Sequence, residues 1–205
     1  MGAKTRREKQ KENLRQEILD AARELFAKEG YESVSMRKIA EKIDYSPTTI
    51  YLHFEDKADL LFHICEETFA KLMKVDQKVL AEDTDPLTKV KKIGRAYVDF
   101  GLKHPYHYQL TFMVPREYTH KMSPEDYQKE GLGFRAFDVV KSCVEECIKK
   151  GIFRKIDANV ASQVLWAGVH GITSLLIAKT LFPWVDKDKT IDTLIDSVIE
   201  GLKKK

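Results

Sequence analysis

Ser46, Pro47, Thr48 and Thr49 form a run of small side chains, three of them with hydroxyls, and their types suit hydrogen bonding to a partner better than bond-making chemistry. Ser46 and Pro47 are typical of a helix start, because a hydroxyl accepts orphan backbone amides and proline presets the first helical turn. Thr48 and Thr49 follow, and small side chains there let a backbone approach a groove floor and touch base edges or thymine methyls. The segment therefore predicts a helix that reads double-stranded DNA.

A preceding short helix must position this segment. Ser35 suits its N-cap, and Ile50 and Phe54 of the second helix can pack inward against it. Two short helices joined by a tight turn form a helix-turn-helix. Its first helix has apolar residues at the spacing i, i+3, i+4 and i+7, which are Met36, Ile39, Ala40 and Ile43.

Longer side chains around the two helices are of types that bind phosphate oxygens. The alternative is that both helices are ordinary core helices, which any helical bundle contains. The predicted DNA-contacting set is Ser35, Arg37, Lys38, Ser46, Pro47, Thr48, Thr49, Tyr51, His53 and Lys57.

From Ile18 to Leu61 the chain resembles the TetR family of bacterial transcriptional repressors. The likeness rests on ILDAA at 18–22, LFAKEGY at 25–31, MRKIA at 36–40, SPTTIY at 46–51, HF at 53–54 and DKADLL at 56–61. The family often has glycine in the turn where this chain has Asp44, a residue type that tolerates a left-handed conformation. The resemblance implies a DNA-binding transcriptional regulator. No nucleophile elbow, glycine-rich phosphate loop or carboxylate pair stands out in the chain, so neither catalysis nor a cofactor is expected.

Charge is concentrated at the amino end. Residues 1 to 15 hold six basic and two acidic residues, a net of +4, and because the whole chain carries +3 the remainder sums to −1. With no apolar period, residues 1–13 are expected to form a flexible basic arm that meets phosphates or a minor groove. The alternative is a solubilising tail.

The rest of the chain predicts an all-α fold of about nine helices. No apolar run approaches the roughly 20 residues of a membrane span, so a cytoplasmic protein without a membrane partner is expected. We predict a helix-turn-helix domain over 14–57 and a ligand-binding and dimerisation domain over 58–205. The longer helices are expected at 14–28, 57–81, 86–103, 106–113, 123–150, 158–180 and 189–203.

Two carboxyl-terminal helices predict a homodimer. The helix at 158–180 is apolar on every face, which requires burial on all sides. A monomeric core is the alternative. The interface is predicted from Ala167, Gly171, Ser174, Ala178, Leu194, Ile195 and Val198. The run WAGVHG at 166–171 also resembles a motif in the ligand-binding domains of some TetR proteins.

Aromatic residues of the middle helices could line an apolar pocket with a few polar anchors, the usual form of a small-molecule site. By the family resemblance an unknown effector would bind there. The candidate lining is Tyr97, Phe100, Tyr108, Phe112, Phe134, Phe137, Trp166 and His170.

Cys143 and Cys147, one helical turn apart, offer an alternative with His104 and His107, namely a metal- or thiol-dependent sensor or a helical enzyme. Free cysteines are more often small buried hydrophobes, so no metal site is expected. The preferred expectation is a ligand-responsive repressor that binds a palindromic operator as a homodimer and is released by a small apolar or aromatic effector.

Overall fold

The computed structural model describes residues 2–115 and 131–204, with side chains from Arg6 onward. The described residues form nine helices and no strand beyond one isolated bridge between Phe153 and Lys203, so the predicted all-α class is confirmed. The helices are α1 (Gly2–Glu29), α2 (Met36–Lys42), α3 (Pro47–Tyr51), α4 (Lys57–Leu80), α5 (Pro86–Lys103), α6 (Pro105–Phe112), α7 (Leu132–Lys149), α8 (Ala158–Ala178) and α9 (Lys187–Leu202).

The described residues divide into two compact units. The first comprises 2–68 and 106–115, and the second comprises 69–105 and 131–204. Helix α4 thus contributes its first half to one unit and its second half to the other. The division between the units therefore falls inside this helix, between residues 68 and 69, and not at residue 57. The predicted start of a helix at 123 lies outside the described residues.

Helix α1 begins at Gly2 and not near Leu14, so the expectation of a flexible arm over 1–13 is wrong for residues 2–13. The reason is local. After Gly2 this stretch is mostly alanine, lysine, arginine, glutamate and glutamine, which are good helix formers. Only Thr5 and Asn13 have lower helix propensity, and there is no proline or further glycine to stop propagation from the stable part of the helix.

Capping side chains define the short helices of the first unit. The Ser35 hydroxyl accepts the Lys38 amide at 3.2 Å, and the Ser46 hydroxyl accepts the Thr49 amide at 3.2 Å. Between them Asp44 has φ +58°, the left-handed conformation that the turn requires and that aspartate tolerates. The Asp56 carboxylate caps α4 by accepting the Asp59 amide at 2.7 Å.

In the second unit α5, α7, α8 and α9 pack around one core. Asp85 and Asp157 cap α5 and α8, each accepting two backbone amides. On the surface Arg95 of α5 pairs with Asp192 of α9 at 2.9 Å, and Lys91 pairs with Asp196 at 2.5 Å. The core residues share near-zero exposure and include Val98, Val144, Ala161, Ile191 and Ile199.

Helix α8 is long and apolar enough to cross a membrane by length and composition, with 39% of its most apolar window buried. The expectation that no stretch approaches such a length is therefore wrong for α8. The core helix of a soluble protein meets the same criterion, and one such helix is weak support for a membrane span.

Candidate nucleic-acid interface and second-unit cluster

Helix α3 presents a polar edge to solvent. Ser46 and Thr48 are exposed, Pro47 and Thr49 are half-buried, and Tyr51 keeps 54% of its surface accessible. The Thr49 hydroxyl lies 2.9 Å from the Ser46 hydroxyl, so the cap and the first turn are locked together. On the opposite side Ile50 and Phe54 are buried, as predicted. A rigid, capped helix with small polar groups on one edge can enter a major groove.

The two basic residues of α2 predicted to meet phosphates are already paired within the protein. The Arg37 guanidinium donates to Glu41 at 2.9 Å, and the Lys38 ammonium pairs with Glu29. Both pairs lie at the surface, where such pairs contribute little stability, so a phosphate can compete for either cation.

Lys57 has a structural task that its sequence position does not reveal. Its ammonium donates to the carbonyl oxygens of Tyr31 at 2.8 Å and Glu32 at 3.4 Å, and it lies 4.2 Å from the centroid of the Tyr31 ring. The side chain therefore ties the start of α4 to the turn after α1. Its contact with phosphate stays a prediction.

His53 is half-buried against α1. Its Nδ1 is shielded from solvent and has no hydrogen-bond partner among the described residues. Burial, with the nearby charges of Lys11 and Arg15, lowers the pKa of His53. The Arg15 guanidinium of α1 lies 4.9 Å from the centroid of the neighbouring Phe54 ring, which places α1 next to the segment that follows α3.

A part-buried polar cluster links α5 and α8 in the second unit, where Tyr97 is 7% exposed and Trp166 is 43% exposed. The Trp166 indole nitrogen donates to the Tyr97 hydroxyl at 3.2 Å, and that hydroxyl lies 3.3 Å from His170 Nδ1. On its other side His170 Nε2 lies 3.4 Å from the Ser174 hydroxyl. Burial lowers the pKa of His170. Phe137 adds an aromatic edge, its ring centroid 6.4 Å from that of Trp166.

The other predicted pocket residues are distributed between the units. Phe100 is buried in the second unit with its ring 5.0 Å from that of His104, and Phe134 is half-buried on α7. Tyr108 and Phe112 are neighbours on α6, with ring centroids 5.0 Å apart, but they belong to the first unit. That all eight residues line one pocket stays a prediction.

The cysteines and histidines considered for a sensor or an enzyme do not form a ligand set. Within the described parts of the chain, no three His, Cys, Asp or Glu side chains come together as a metal site would need. His107 lies instead 2.8 Å from Arg23 in the first unit. Cys143 and Cys147 are buried, and burial raises the pKa of the Cys147 thiol to about 12, so it is an unreactive thiol.

The predicted dimer residues divide into two groups. Ala167 and Ala178 are exposed, Gly171, Ser174, Leu194 and Val198 are half-buried, and a Cβ on Gly171 would meet no atom within 4 Å. Ile195 is the exception, because it is only 5% exposed and its Cδ1 would lie 3.8 Å from a Cβ on Gly94 of α5. Placing Ile195 in the interface is therefore wrong, since it packs inside its own chain.

The exposed face of α8 extends this small-residue surface. Apolar side chains that keep nearly half of their area accessible include Val160, Val164 and Leu175. They recur with Ala167 and Gly171 at helical spacing along one side of α8, so this face of a single chain is unusually apolar.

Sequence reasoning missed three residues. Tyr45 and Leu52 are both exposed beside α3, Leu52 with 75% of its surface accessible. Asp76 is buried in α4, where Phe69, Leu72 and Val79 form the rest of the same apolar stripe. The sequence did contain a signal for this residue, because the amphipathic pattern of α4 has an aspartate at a position where an apolar residue is expected.

The arrangement defines a helix-turn-helix DNA-binding protein with a separate helical unit. Residues 18–64 match the model for bacterial regulatory proteins of the tetR family, and residues 90–201 match the tetracyclin repressor-like C-terminal domain. The second match spans more than half of the chain, so the chain belongs to the TetR family of transcriptional regulators, as its resemblance predicted.

Relatives agree with this assignment. The HTH-type transcriptional regulator AcrR of Shigella flexneri is 26% identical over 89% of this chain and 84% of its own length. Among solved structures, the fatty acid degradation regulator FadR from Bacillus halodurans has a TM-score of 0.77 at 20% identity, covering 93% of this chain and 97% of that one. PfmR from Thermus thermophilus has a TM-score of 0.70 at 18% identity, covering 91% and 99%. The structural likeness shows the shared fold, and the named relatives are regulators and not enzymes, as predicted here.

Proposed function

We propose that this protein is a ligand-responsive repressor that binds a palindromic operator as a homodimer. Residues 14–57 would read DNA, and residues 58–205 would bind the effector and the second subunit. The observation that carries the proposal is the capped helix α3, whose polar edge is exposed while Ile50 and Phe54 anchor its other side.

Dimerisation is supported by the apolar face of α8. A soluble chain rarely leaves such a surface uncovered, and a second copy of the same face is self-complementary across a two-fold axis. Two-fold symmetry would present the two α3 helices to successive major grooves, roughly 34 Å apart on one side of the duplex. This spacing is what a palindromic operator requires.

An effector is supported by the cluster of Tyr97, Trp166 and His170 with Phe137. Aromatic surface with a few convergent polar groups is the usual composition of a small-molecule site. A ligand that binds one arrangement of the two subunits more tightly than another would shift the population toward that arrangement. The distance between the two α3 helices would then change, and the operator would be released. The protein would carry out this work in the cytoplasm, where its DNA lies.

The test begins with the DNA that flanks the gene. Footprinting with the purified protein is expected to protect one palindrome, with two chains bound per site in sedimentation or mass measurements. Deleting the gene should raise transcription from the protected promoter, because repression is lost. A fall in transcription would mean activation, and an absence of protected palindromes would contradict the proposal.

A further inference from the structure

One leucine interrupts the polar surface around α3. Leu52, the residue directly after the helix, keeps 75% of its surface accessible, and Ser46 and Thr48 nearby are exposed as well. A single exposed leucine is ordinary on a protein surface, so exposure alone indicates no function. The position of this leucine on the helix carries the argument.

Backbone hydrogen bonds fix the side of α3 on which Leu52 lies. Its amide donates to the Thr48 carbonyl oxygen at 3.2 Å, so the helical turn includes Leu52 and stacks it one turn after Thr48. The Phe54 amide donates in the same way to the Ile50 carbonyl oxygen, at 3.0 Å. The segment therefore has two rows of side chains, one of Thr48 and Leu52 and one of Ile50 and Phe54.

The two rows face opposite directions. Successive residues of an α-helix are rotated by about 100°, so residues 50 and 52 lie about 200° apart around the axis. Ile50 and Phe54 are 0% and 1% exposed, which makes their row the inner one. Leu52 therefore projects outward from the first unit on the row opposite the buried anchors.

The other large exposed residues beside α3 differ from Leu52 in chemistry. Tyr45 is 43% exposed and Tyr51 is 54% exposed, and each carries a hydroxyl that can bond to a phosphate oxygen. Leu52 has no polar side-chain atom, so it gains free energy from an apolar partner group alone. A protein partner would need roughly 800 Å² of contact surface on this side, whereas one leucine among hydroxyl groups suits a single small apolar group.

The major groove of DNA offers such a group. Its base edges present nitrogen and oxygen donors and acceptors, and thymine adds the apolar C5-methyl group. A helix that enters the groove brings its outer row closest to these edges. The outer row of α3 therefore combines a hydroxyl at Thr48 for a polar base edge with an aliphatic side chain at Leu52 for a methyl group.

We propose that Leu52 is a specificity-determining residue, which packs against the C5-methyl group of one thymine in each half-site. The protein would then select thymine at that position of its DNA site. The inference rests on the DNA-reading role in the proposed function and names the base feature that is read. It is independent of repression and of the effector.

Uracil tests the proposal because it is thymine without the C5-methyl group. The DNA protected in the footprint would be synthesised with deoxyuridine in place of thymidine, one position of the half-site at a time, and binding measured by fluorescence anisotropy. At one position the affinity of the wild-type chain is expected to fall about fourfold for each methyl group removed, the usual effect of losing one buried methyl contact. Other thymines should respond by less than about twofold, unless they meet another apolar group.

Variants of Leu52 assign that response to this side chain. Leu52→Ala should bind the thymine DNA about as weakly as the wild-type chain binds the uracil DNA, and the methyl group should no longer affect its affinity. Leu52→Met keeps an apolar side chain and should keep the uracil effect. Tyr45→Ala is the matched control, because it removes another exposed side chain beside α3 and should also keep the effect.

Two further measurements separate this contact from a structural or electrostatic role. Thermal melts should show the same melting temperature for Leu52→Ala and wild type, because the side chain is largely exposed. The slope of log affinity against log salt should also be equal, since leucine neutralises no phosphate.

Either of two results would overturn the inference. One is that no thymine of the site responds to uracil in the wild-type chain, and the other is that the response persists in Leu52→Ala. In both cases the chain still binds DNA, so the proposed function stands. A bound site without palindromic symmetry would contradict the proposed function and leave the uracil result intact, and a chain that protects no DNA would overturn both.

Discussion

At the scale of single residues, polar side chains in and around α3 divide between holding the helix and facing outward. The Ser46 and Thr49 hydroxyls are hydrogen-bonded to each other and to the first turn, so they serve the helix itself. Tyr51 keeps more than half of its surface exposed and anchors nothing in the core. Binding and stability should therefore respond to different residues of this short segment.

Replacing Tyr51 by alanine is expected to weaken operator binding without changing the melting temperature. Loss of a phosphate or base interaction typically costs about 1–3 kcal/mol, and a dimer loses it twice. Fluorescence anisotropy with labelled operator measures the affinity. Ser46→Ala is the matched control, because losing an N-cap should lower the unfolding free energy by about 1 kcal/mol. Unchanged affinity in Tyr51→Ala would remove this residue from the interface.

The buried Asp76 makes the free energy of unfolding depend on pH, and the direction of that dependence follows from its raised pKa. Burial raises its pKa from 3.8 to about 7 in the folded chain, so the folded state binds a proton that the unfolded state has already lost between those values. Stability from this group is therefore present at low pH and is lost as pH rises from about 4 through about 7. The penalty above pH 7 is on the order of 1–4 kcal/mol.

The prediction is that the unfolding free energy of Asp76→Asn, relative to wild type, increases between pH 5 and pH 8. Urea unfolding at both pH values measures this difference, and comparing the two differences removes any fixed cost of the amide. Parallel pH profiles for the two proteins would show that Asp76 is not held protonated by the fold.

At the scale of elements, α8 serves two environments at once. Leu165, Val169 and Leu176 face the core of their own chain, while Val164 and Leu175 face outward. Two helical glycines distinguish these sides. A Cβ on Gly168 would lie 3.3 Å from Val198 Cγ2 of α9, whereas a Cβ on Gly171 would meet nothing within 4 Å.

Gly171→Leu is accordingly expected to leave the chain folded and to loosen the dimer. Leucine also favours a helix over glycine, so the single chain should lose no stability. In a close two-fold contact the new side chains from both subunits would overpack, at about 1–3 kcal/mol. Sedimentation velocity measures the association state.

Gly168→Leu is the control for that experiment. Its side chain would enter the packed contact with α9, so it should lower the melting temperature of the chain itself. If Gly171→Leu remained fully dimeric at low micromolar concentration, the partner would not be seated on this part of α8.

At the scale of the whole molecule, the basic amino end is carried on one helix. Helix α1 has 28 residues, about 42 Å at the usual rise per residue. Arg6, Arg7 and Lys9 thus stand at defined positions on a continuous helix that also packs in the first unit, and they are not spread over a flexible tail. Each would be held near the same phosphates in every complex.

Replacing Arg6, Arg7 and Lys9 by glutamine should weaken binding to all DNA sequences and flatten its salt dependence. Removing one phosphate interaction takes about 0.9 from the slope of log affinity against log salt, in each subunit. Glutamine is a good helix former, so α1 should persist. The same change at residues 203–205 is the charge-matched control, and an equal slope in both variants would assign the basic end a solubilising role.

Local spacing predicted most of the helix-turn-helix before the structure was known. The caps at Ser35, Ser46 and Asp56 each accept the amide three residues further along the chain, and the apolar period of α2 is a property of consecutive residues. Such interactions are settled by near neighbours in the chain, so sequence alone determined where these helices start and which faces they bury.

Only the tertiary structure decided which neighbour covers each face. Ile195 and Leu194 are adjacent in one apolar pattern, yet Ile195 packs inside its own chain while Leu194 is half-buried. Lys57 donates to the carbonyl of Tyr31, 26 residues away, and Asp76, at a core position of α4, is only 2% exposed. Periodicity defines a helix face, but the partner that meets it depends on contacts between residues far apart in the chain, which local spacing does not encode.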